Sequence, residues 1–213
     1  MSKIIIIGAG GHARVLISCL KVLQHNIVGI LDPSPEMIGQ SIAGIDVIGN
    51  DDKIGDYDPT TIELVNGIGS VSSTKKRKYI YDTFKNFGYS FAGVIHPSAI
   101  VMDDVRLGEG VQIMAGVIIQ PGCVIGDDTI INTGAIVDHD CIIGKHVHVA
   151  PGAVLSGGAH VGAMTHIGTS ATIIQGIEIG DAVVVGAGAV AISNIPPGVK
   201  VSGIPAKTTE RRK

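Results

Sequence analysis

The chain has no tryptophan, only 3% aromatic residues and only 16% charged residues among its 213 positions. Large rings are scarce, so stability has to come chiefly from stacked aliphatic side chains, and 30 glycines leave room for many tight turns. The formal charge of −3 carries no cationic surplus. Nucleic acid and anionic membrane surfaces are therefore not expected as partners, whereas small anions remain possible at local sites. Three cysteines (Cys19, Cys123, Cys141) are too few and too odd in number for a disulfide framework and read as reduced core residues. No stretch approaches 18 consecutive apolar residues, and the apolar run Ile4–Ile7 is too short for a signal peptide, which makes the cytoplasm the expected location. The mean hydropathy of +0.41 then has to come from repeated short aliphatic segments.

Those segments are regular. From Ile95 to Val185 an aliphatic residue stands at every sixth position, through Ile113, Ile131, Val149 and Ile167 among others, for sixteen hexads without a miss. Four residues after each anchor comes a second small or apolar residue such as Val111, Cys123, Ala135, Cys141 or Ala153. Neither a helical period of 3.6 nor a strand period of 2 gives this register. Short strands separated by tight turns do, winding a parallel β-helix lined by the anchors. Three hexads make one triangular coil, so residues 18 apart should stack.

The repeat leaves residues 1–94 as a separate α/β domain, with 95–213 as the β-helix domain and its tail. Lys3–Ile7 reads as a strand, Gly8-Ala9-Gly10-Gly11-His12-Ala13 as a glycine loop, Arg14–Leu23 as a helix and Ile27–Leu31 as a second strand ending at Asp32. This is the opening of a Rossmann-like unit, in which glycines let a phosphate approach the backbone and a helix N-terminus offers it free amides. Thr61–Val65, leading into Gly67-Ile68-Gly69, and Phe91–Ile95 complete an expected four strands, enough for one nucleotide. Lys75–Phe87 reads as an amphipathic helix whose Lys75, Lys76, Arg77 and Lys78 form a solvated basic face. Pro97 ends the first domain.

Five of the eight histidines lie in the repeat (His139, His146, His148, His160, His166). His139 falls in a turn between Asp138 and Asp140. A carboxylate on one ring nitrogen fixes the tautomer and raises the basicity of the other, which suits a general base. His148 and His166 stack on one face with His160 at the equivalent place on a neighbouring face. Such an array could hold zinc, but the register alone accounts for it, so no metal is expected and His160 and His166 read as surface residues.

Residues 95–190 resemble the hexapeptide-repeat acyltransferases. The whole chain, through its glycine loop, Ile95-His96-Pro97-Ser98-Ala99, the Asn132-Thr133 and Asp138-His139-Asp140-Cys141 segments, His148–Ala153 and Val201–Lys207, is similar to the PglD/NeuD-like sugar acetyltransferases. The resemblance implies a left-handed β-helix, where the general rule for crossover connections would give the opposite hand. It further implies a homotrimer, acetyl-CoA as co-substrate and a nucleotide-sugar acceptor. Carried over by position, His139 is the base and Asp140 its carboxylate partner. Gly10, Gly11, His12, Asp32, Gly69 and Asn132 bind the nucleotide sugar, while His148, Gly157, Thr169 and Ala187 meet the acyl-CoA. Asp32-Pro33 stands where uridine-specific members carry two acids. The resulting expectation is N-acetylation of the 4-amino group of a UDP-, GDP- or dTDP-linked amino deoxysugar by direct transfer, with UDP favoured. A sialic acid O-acetyltransferase, a non-catalytic nucleotide-sugar-binding protein and a zinc hydratase are the competing readings.

Overall fold

The structure, a computed structural model, describes residues 3–211. It comprises two compact units, one formed by the chain up to Gly69 together with Lys76–Val94, the other by Ser70–Lys75 together with the chain from Ile95 onward.

The first unit is a six-stranded sheet in the order β3-β4-β2-β1-β5-β6, with β1 Lys3–Ile7, β2 Asn26–Leu31, β3 Ser41–Ile42, β4 Ile45–Gly49, β5 Ile62–Asn66 and β6 Ser90–Phe91. All its pairings are parallel except that of β3 with β4. Ile4 to Ile7 on β1 are all at most 1% exposed, as expected for a central parallel strand covered on both faces. Helix α1 (Gly11–Val22) buries Ala13, Leu16, Ile17 and Leu20, one stripe at helical spacing. Helix α2 (Lys75–Asn86) buries Ile80, Tyr81 and Phe84.

Three expectations for this unit are corrected. Its sheet has six strands instead of four, because β3 and β4 form a hairpin around Ala43 and Gly44, both at positive φ, in which β3 has only two residues and Asp46 interrupts the apolar residues of β4. The segment Phe91–Ile95 is not one strand: Ser90–Phe91 pairs with β5, while Val94–Ile95 already belongs to the first sheet of the repeat. Arg77 is not solvated. It is fully buried and its Nη1 donates to the carbonyls of Asn66 (3.0 Å) and Ile68 (2.9 Å), holding the loop that leaves β5.

The second unit is a triangular coil of two-residue parallel strands forming three stacked sheets. The first face carries Gln112–Ile113, Ile130–Ile131, His148–Val149, His166–Ile167 and Val184–Val185. A second runs from Ile100–Val101 to Val190–Ala191, and a third from Arg106–Leu107 to Glu178–Ile179. Strand partners are 18 residues apart, as in His148 with His166. Anchors Ile113 through Val185 point inward and are at most 3% exposed, as are Ala135, Ala153 and Ala171 at the fourth place after an anchor. Polar residues admitted to this bore are paired. Thr129 Oγ1 donates to Gly144 O (2.8 Å) and accepts from Val147 N, Cys123 Sγ donates to Asp138 O (3.0 Å) and Cys141 Sγ to Ser156 O (3.4 Å). All three cysteines are free and buried.

The turns share one geometry in which the third residue after an anchor adopts positive φ. Glycine fills it at Gly116, Gly134 and Gly152, but Asp128, Asp140, His146, Met164, Ser170 and Ala182 also occupy it at φ near +55°. The last strands, Val199–Ser202 and Lys207–Arg211, close the coil as an antiparallel pair. Among the described residues no helix is long and apolar enough to cross a membrane.

Ile167 is fully buried in the aliphatic ladder. Ile167→Ala should cost about 2–5 kcal/mol, the usual loss for a large core deletion, read as a lower midpoint in urea unfolding.

Candidate active site

In the first unit the loop after β1, the end of β2 and the loop after β5 converge at the carboxyl ends of the parallel strands, where open α/β sheets bind ligands. Asp32 fastens them. Its Oδ2 accepts from Ala9 N (2.8 Å) in the glycine loop and its Oδ1 from Ser34 N (3.0 Å). Burial pushes the Asp32 carboxyl up, but these two amide bonds and the nearby Lys76 charge outweigh it and hold the group below the usual carboxylate range. Gly69 abuts His12, since a Cβ at Gly69 would lie 3.1 Å from the His12 Cβ. Gly10, Gly11, His12, Asp32 and Gly69 are thus neighbours.

The glycines differ in what they answer to. Gly8 sits at φ +97° with Ile68 Cδ1 2.4 Å from where a Cβ would be, so the fold itself requires it. Gly10 and Gly11 have ordinary φ, and a methyl group at either would meet nothing within 4 Å. The packing leaves those two side-chain positions open at the N-terminus of α1, a place suited to an anion.

In the second unit His139 and Asp140 occupy a turn between the second and third faces. His139 Nδ1 meets Asp140 Oδ2 at 2.8 Å, with the two side chains 54% and 72% exposed. Asp140 takes the positive-φ place of the turn (φ +59°), a conformation that an Asp tolerates better than most side chains. The imidazole leans over the next coil: a Cβ at Gly157 would stand 2.5 Å from His139 Nε2. Gly157 therefore makes the room in which the ring sits. The Asp140 hydrogen bond comes first among the influences that raise His139 above its ordinary value.

The remaining candidates lie elsewhere. Asn132, Thr169 and Ala187 belong to the turns between the first and second faces, with Gly188 N donating to Thr169 O (2.8 Å) as Thr169 and Ala187 stack. His148 stands on the first face beside them, its Nε2 3.0 Å from Asn132 Nδ2. So one chain gathers His139, Asp140 and Gly157 at one corner of the triangle, and Asn132, Thr169 and Ala187 at another.

Two residues escaped the sequence reading. His166 is 5% exposed instead of solvent-facing, and its Nδ1 meets Ser70 Oγ at 2.9 Å. Segment Ser70–Lys75, whose Thr74 Oγ1 also donates to Met164 O (3.1 Å), lies against the coil there. Nothing periodic in the sequence marks where that segment goes. Among the described residues no group of three or more His, Cys, Asp or Glu could hold a metal ion.

A glycine-loop α/β unit followed by a hexad coil with a carboxylate-paired histidine in a turn defines a hexapeptide-repeat transferase. The PglD N-terminal domain family matches residues 3–93, and the bacterial transferase hexapeptide family (six repeats) matches 104–138 and 122–157. No curated protein sequence matches significantly. Among solved structures, PerB from Caulobacter crescentus in complex with CoA and GDP-perosamine is 37% identical, with 98% of each chain covered and a TM-score of 0.90. The acetyltransferase domain of PglB from Neisseria gonorrhoeae in complex with acetyl coenzyme A is 34% identical over 97% of this chain and 98% of that one (TM-score 0.89). WeeI from Acinetobacter baumannii, 24% identical over 98% and 100% of the two chains with a TM-score of 0.82, shares the fold. The chain belongs to the PglD-like hexapeptide-repeat family of acetyl-CoA-dependent sugar N-acetyltransferases, whose repeat is a left-handed β-helix.

The His139 imidazole should titrate, by NMR, above the ordinary value of about 6.5. Asp140→Asn removes the charged acceptor and should bring that midpoint down; an unchanged midpoint would detach the two residues.

Proposed function

We propose that this protein transfers the acetyl group of acetyl-CoA to the 4-amino group of a nucleotide-linked amino deoxysugar, with His139 as general base. The observation that carries the reading is the His139 ring, tied to Asp140 at 2.8 Å and seated over Gly157 in an exposed turn. With Nδ1 held by the carboxylate, Nε2 is the nitrogen that takes a proton from the acceptor. The acceptor attacks as the neutral amine, and the base takes one of its protons as the C–N bond forms, with Asp140 stabilising the resulting imidazolium. The tetrahedral intermediate collapses with loss of the coenzyme A thiolate. Of the two amides in the Gly157-Gly158 turn, that of Gly158 donates to His139 O (2.8 Å), which leaves the Gly157 amide to polarise the thioester carbonyl. Free thiols buried in the bore are unsuited to an acyl-enzyme, and direct transfer follows.

The nucleotide diphosphate belongs at Gly10, Gly11 and His12, beneath Gly69, with Asp32 behind the loop. GDP-perosamine in a 37% identical neighbour, and Asp32-Pro33 in place of two acids, favour a GDP-linked acceptor over the UDP-linked one first expected. Assaying coenzyme A release with GDP-, UDP- and dTDP-linked 4-amino sugars tests this. Acetylation of a sialic acid hydroxyl in preference to every amine would establish the O-acetyltransferase reading instead.

We also propose a homotrimer. Six strand residues span at most about 20 Å, and the thioester end of acetyl-CoA can meet only one corner of a chain. His139 and Gly157 can share an acetyl-CoA with Thr169 and Ala187 when a neighbouring copy brings its corner alongside. The second face between those corners presents Ile100 (53% exposed) and Ile136 (37%) outward, an apolar ladder suited to burial against a copy. Solution scattering should give the mass of three chains, and a fully active monomer would defeat the shared site.

His139→Ala should lower kcat by roughly 10²–10⁴-fold with little change in the KM for acetyl-CoA. The acid limb of kcat/KM should lie at higher pH than an unperturbed histidine gives, since the base must be neutral and its proton is held more tightly. Gly10→Val, whose Cβ would meet nothing within 4 Å, should leave the melting temperature near that of the parent while raising the KM for the nucleotide sugar more than tenfold.

A further inference from the structure

The first face of the coil differs from the other two in what its outward positions carry. On the second and third faces such positions are open, as at Ile136 (37% exposed) and Ile142 (47%). On the first they are closed, and two of them are imidazoles at 5% exposure, His148 and His166. Burying two polar rings next to each other is costly unless their nitrogens are engaged.

One nitrogen of each ring has a side-chain partner. Thr133 N donates to Asn132 Oδ1 (2.8 Å), which fixes the amide so that its NH₂ faces His148 Nε2 at 3.0 Å. An NH₂ group only donates, so His148 Nε2 must accept, and the ring is the neutral tautomer with its proton on Nδ1. One coil further, the His166 ring stands edge-on to it, with centroids 5.0 Å apart and planes at 84°. His166 Nδ1 is in turn tied to Ser70 Oγ (2.9 Å), at the point where the chain passes from the first unit at Gly69 to the second at Ser70. A continuous series of side chains, Ser70, His166, His148 and Asn132, therefore starts beside the last residue of the β5 loop and ends at the turn assigned to the acceptor sugar.

We propose that His166, held by Ser70, is a positioning residue for transfer: it fixes the ring plane of His148 and so keeps His148 and Asn132 aligned with the acceptor and the acyl group. This rests on the acetyltransferase reading above. His166 itself touches no reacting atom in this scheme. Its ring blocks the rotation of His148 that would break the bond to Asn132, and Ser70 blocks the rotation of His166.

The test compares His166→Ala, His166→Asn, Ser70→Ala and the Ser70→Ala/His166→Ala pair in the full-length protein, with steady-state kinetics for both substrates and thermal melting. His166→Ala should lower kcat by 10-fold or more, with the KM for acetyl-CoA within about threefold. His166→Asn offers Ser70 an amide oxygen near the Nδ1 position and should recover kcat to within about fivefold of the parent. Ser70→Ala should lower kcat, and the double variant should lose no more than His166→Ala alone, because the two act through one bond. Parent-like kcat in His166→Ala overturns the proposal, and so does strict multiplicativity of the two single losses. Should His166→Ala fail to fold, Ser70→Ala and His166→Asn decide, since the proposal requires both the loss and the recovery. A parent protein that releases no coenzyme A with any amino-sugar nucleotide would instead defeat the acetyltransferase reading.

Discussion

The second unit depends on one arrangement: backbone amides of each coil donate to carbonyls of the next, as Ile130 N does to Val147 O and His148 N to Thr165 O, both at 2.9–3.0 Å. No strand has more than two residues along most of the coil, so no strand could persist by itself. The bonds form only while all anchors stay in register, and the anchors stay inside only while the bonds hold. A side chain's azimuth is thereby fixed by its place in the hexad. His139 faces solvent at a corner because Val137 is inside, and His148 lies on a face because Val149 is inside.

That coupling makes the His139 corner inexpensive to hold. A residue in a turn of a rigid coil needs little support of its own, and the Asp140 carboxylate reaches the His139 ring from the adjacent position in the same turn. The cost falls on the backbone, where Asp140 occupies a place that glycine fills elsewhere, and on Gly157, which gives up a side chain to seat the ring. A second imidazole–carboxylate pair is built differently, across two stacked coils instead of within one turn. Asp128 and His146 meet at 3.0 Å between stacked positive-φ positions, but buried, where a base could not reach substrate.

Much of this was legible in the chain because it follows from periodicity. The hexads specify the coil, the bore and the stacking of His148 on His166, and the glycine loop specifies the first βαβ turn. The adjacency in Asp138-His139-Asp140 likewise foretold a carboxylate on the imidazole. What stayed hidden had no period to betray it. The burial of Arg77 follows from two carbonyls, of Asn66 and Ile68, that sequence does not show to be near. The Ser70 to His166 bond joins residues 96 apart through a segment that reads as an ordinary loop. The division of Phe91–Ile95 at Ala92-Gly93 is similar: five residues of one hydropathy pattern serve two sheets.

The 18-residue coil also constrains how such a chain can change length. Removing six residues would turn every downstream side chain by one face of the triangle, carrying His148 away from Asn132 while leaving the bore as well packed as before. Removing a number that is not a multiple of six would expel the anchors outright. Insertions and deletions that preserve this arrangement are thus confined to whole coils above or below the His139 turn, or to extra residues looped out at a corner. Among relatives, the length of the repeat should vary in steps, while the spacing from Asn132 through His139 to His148 and Gly157 stays constant.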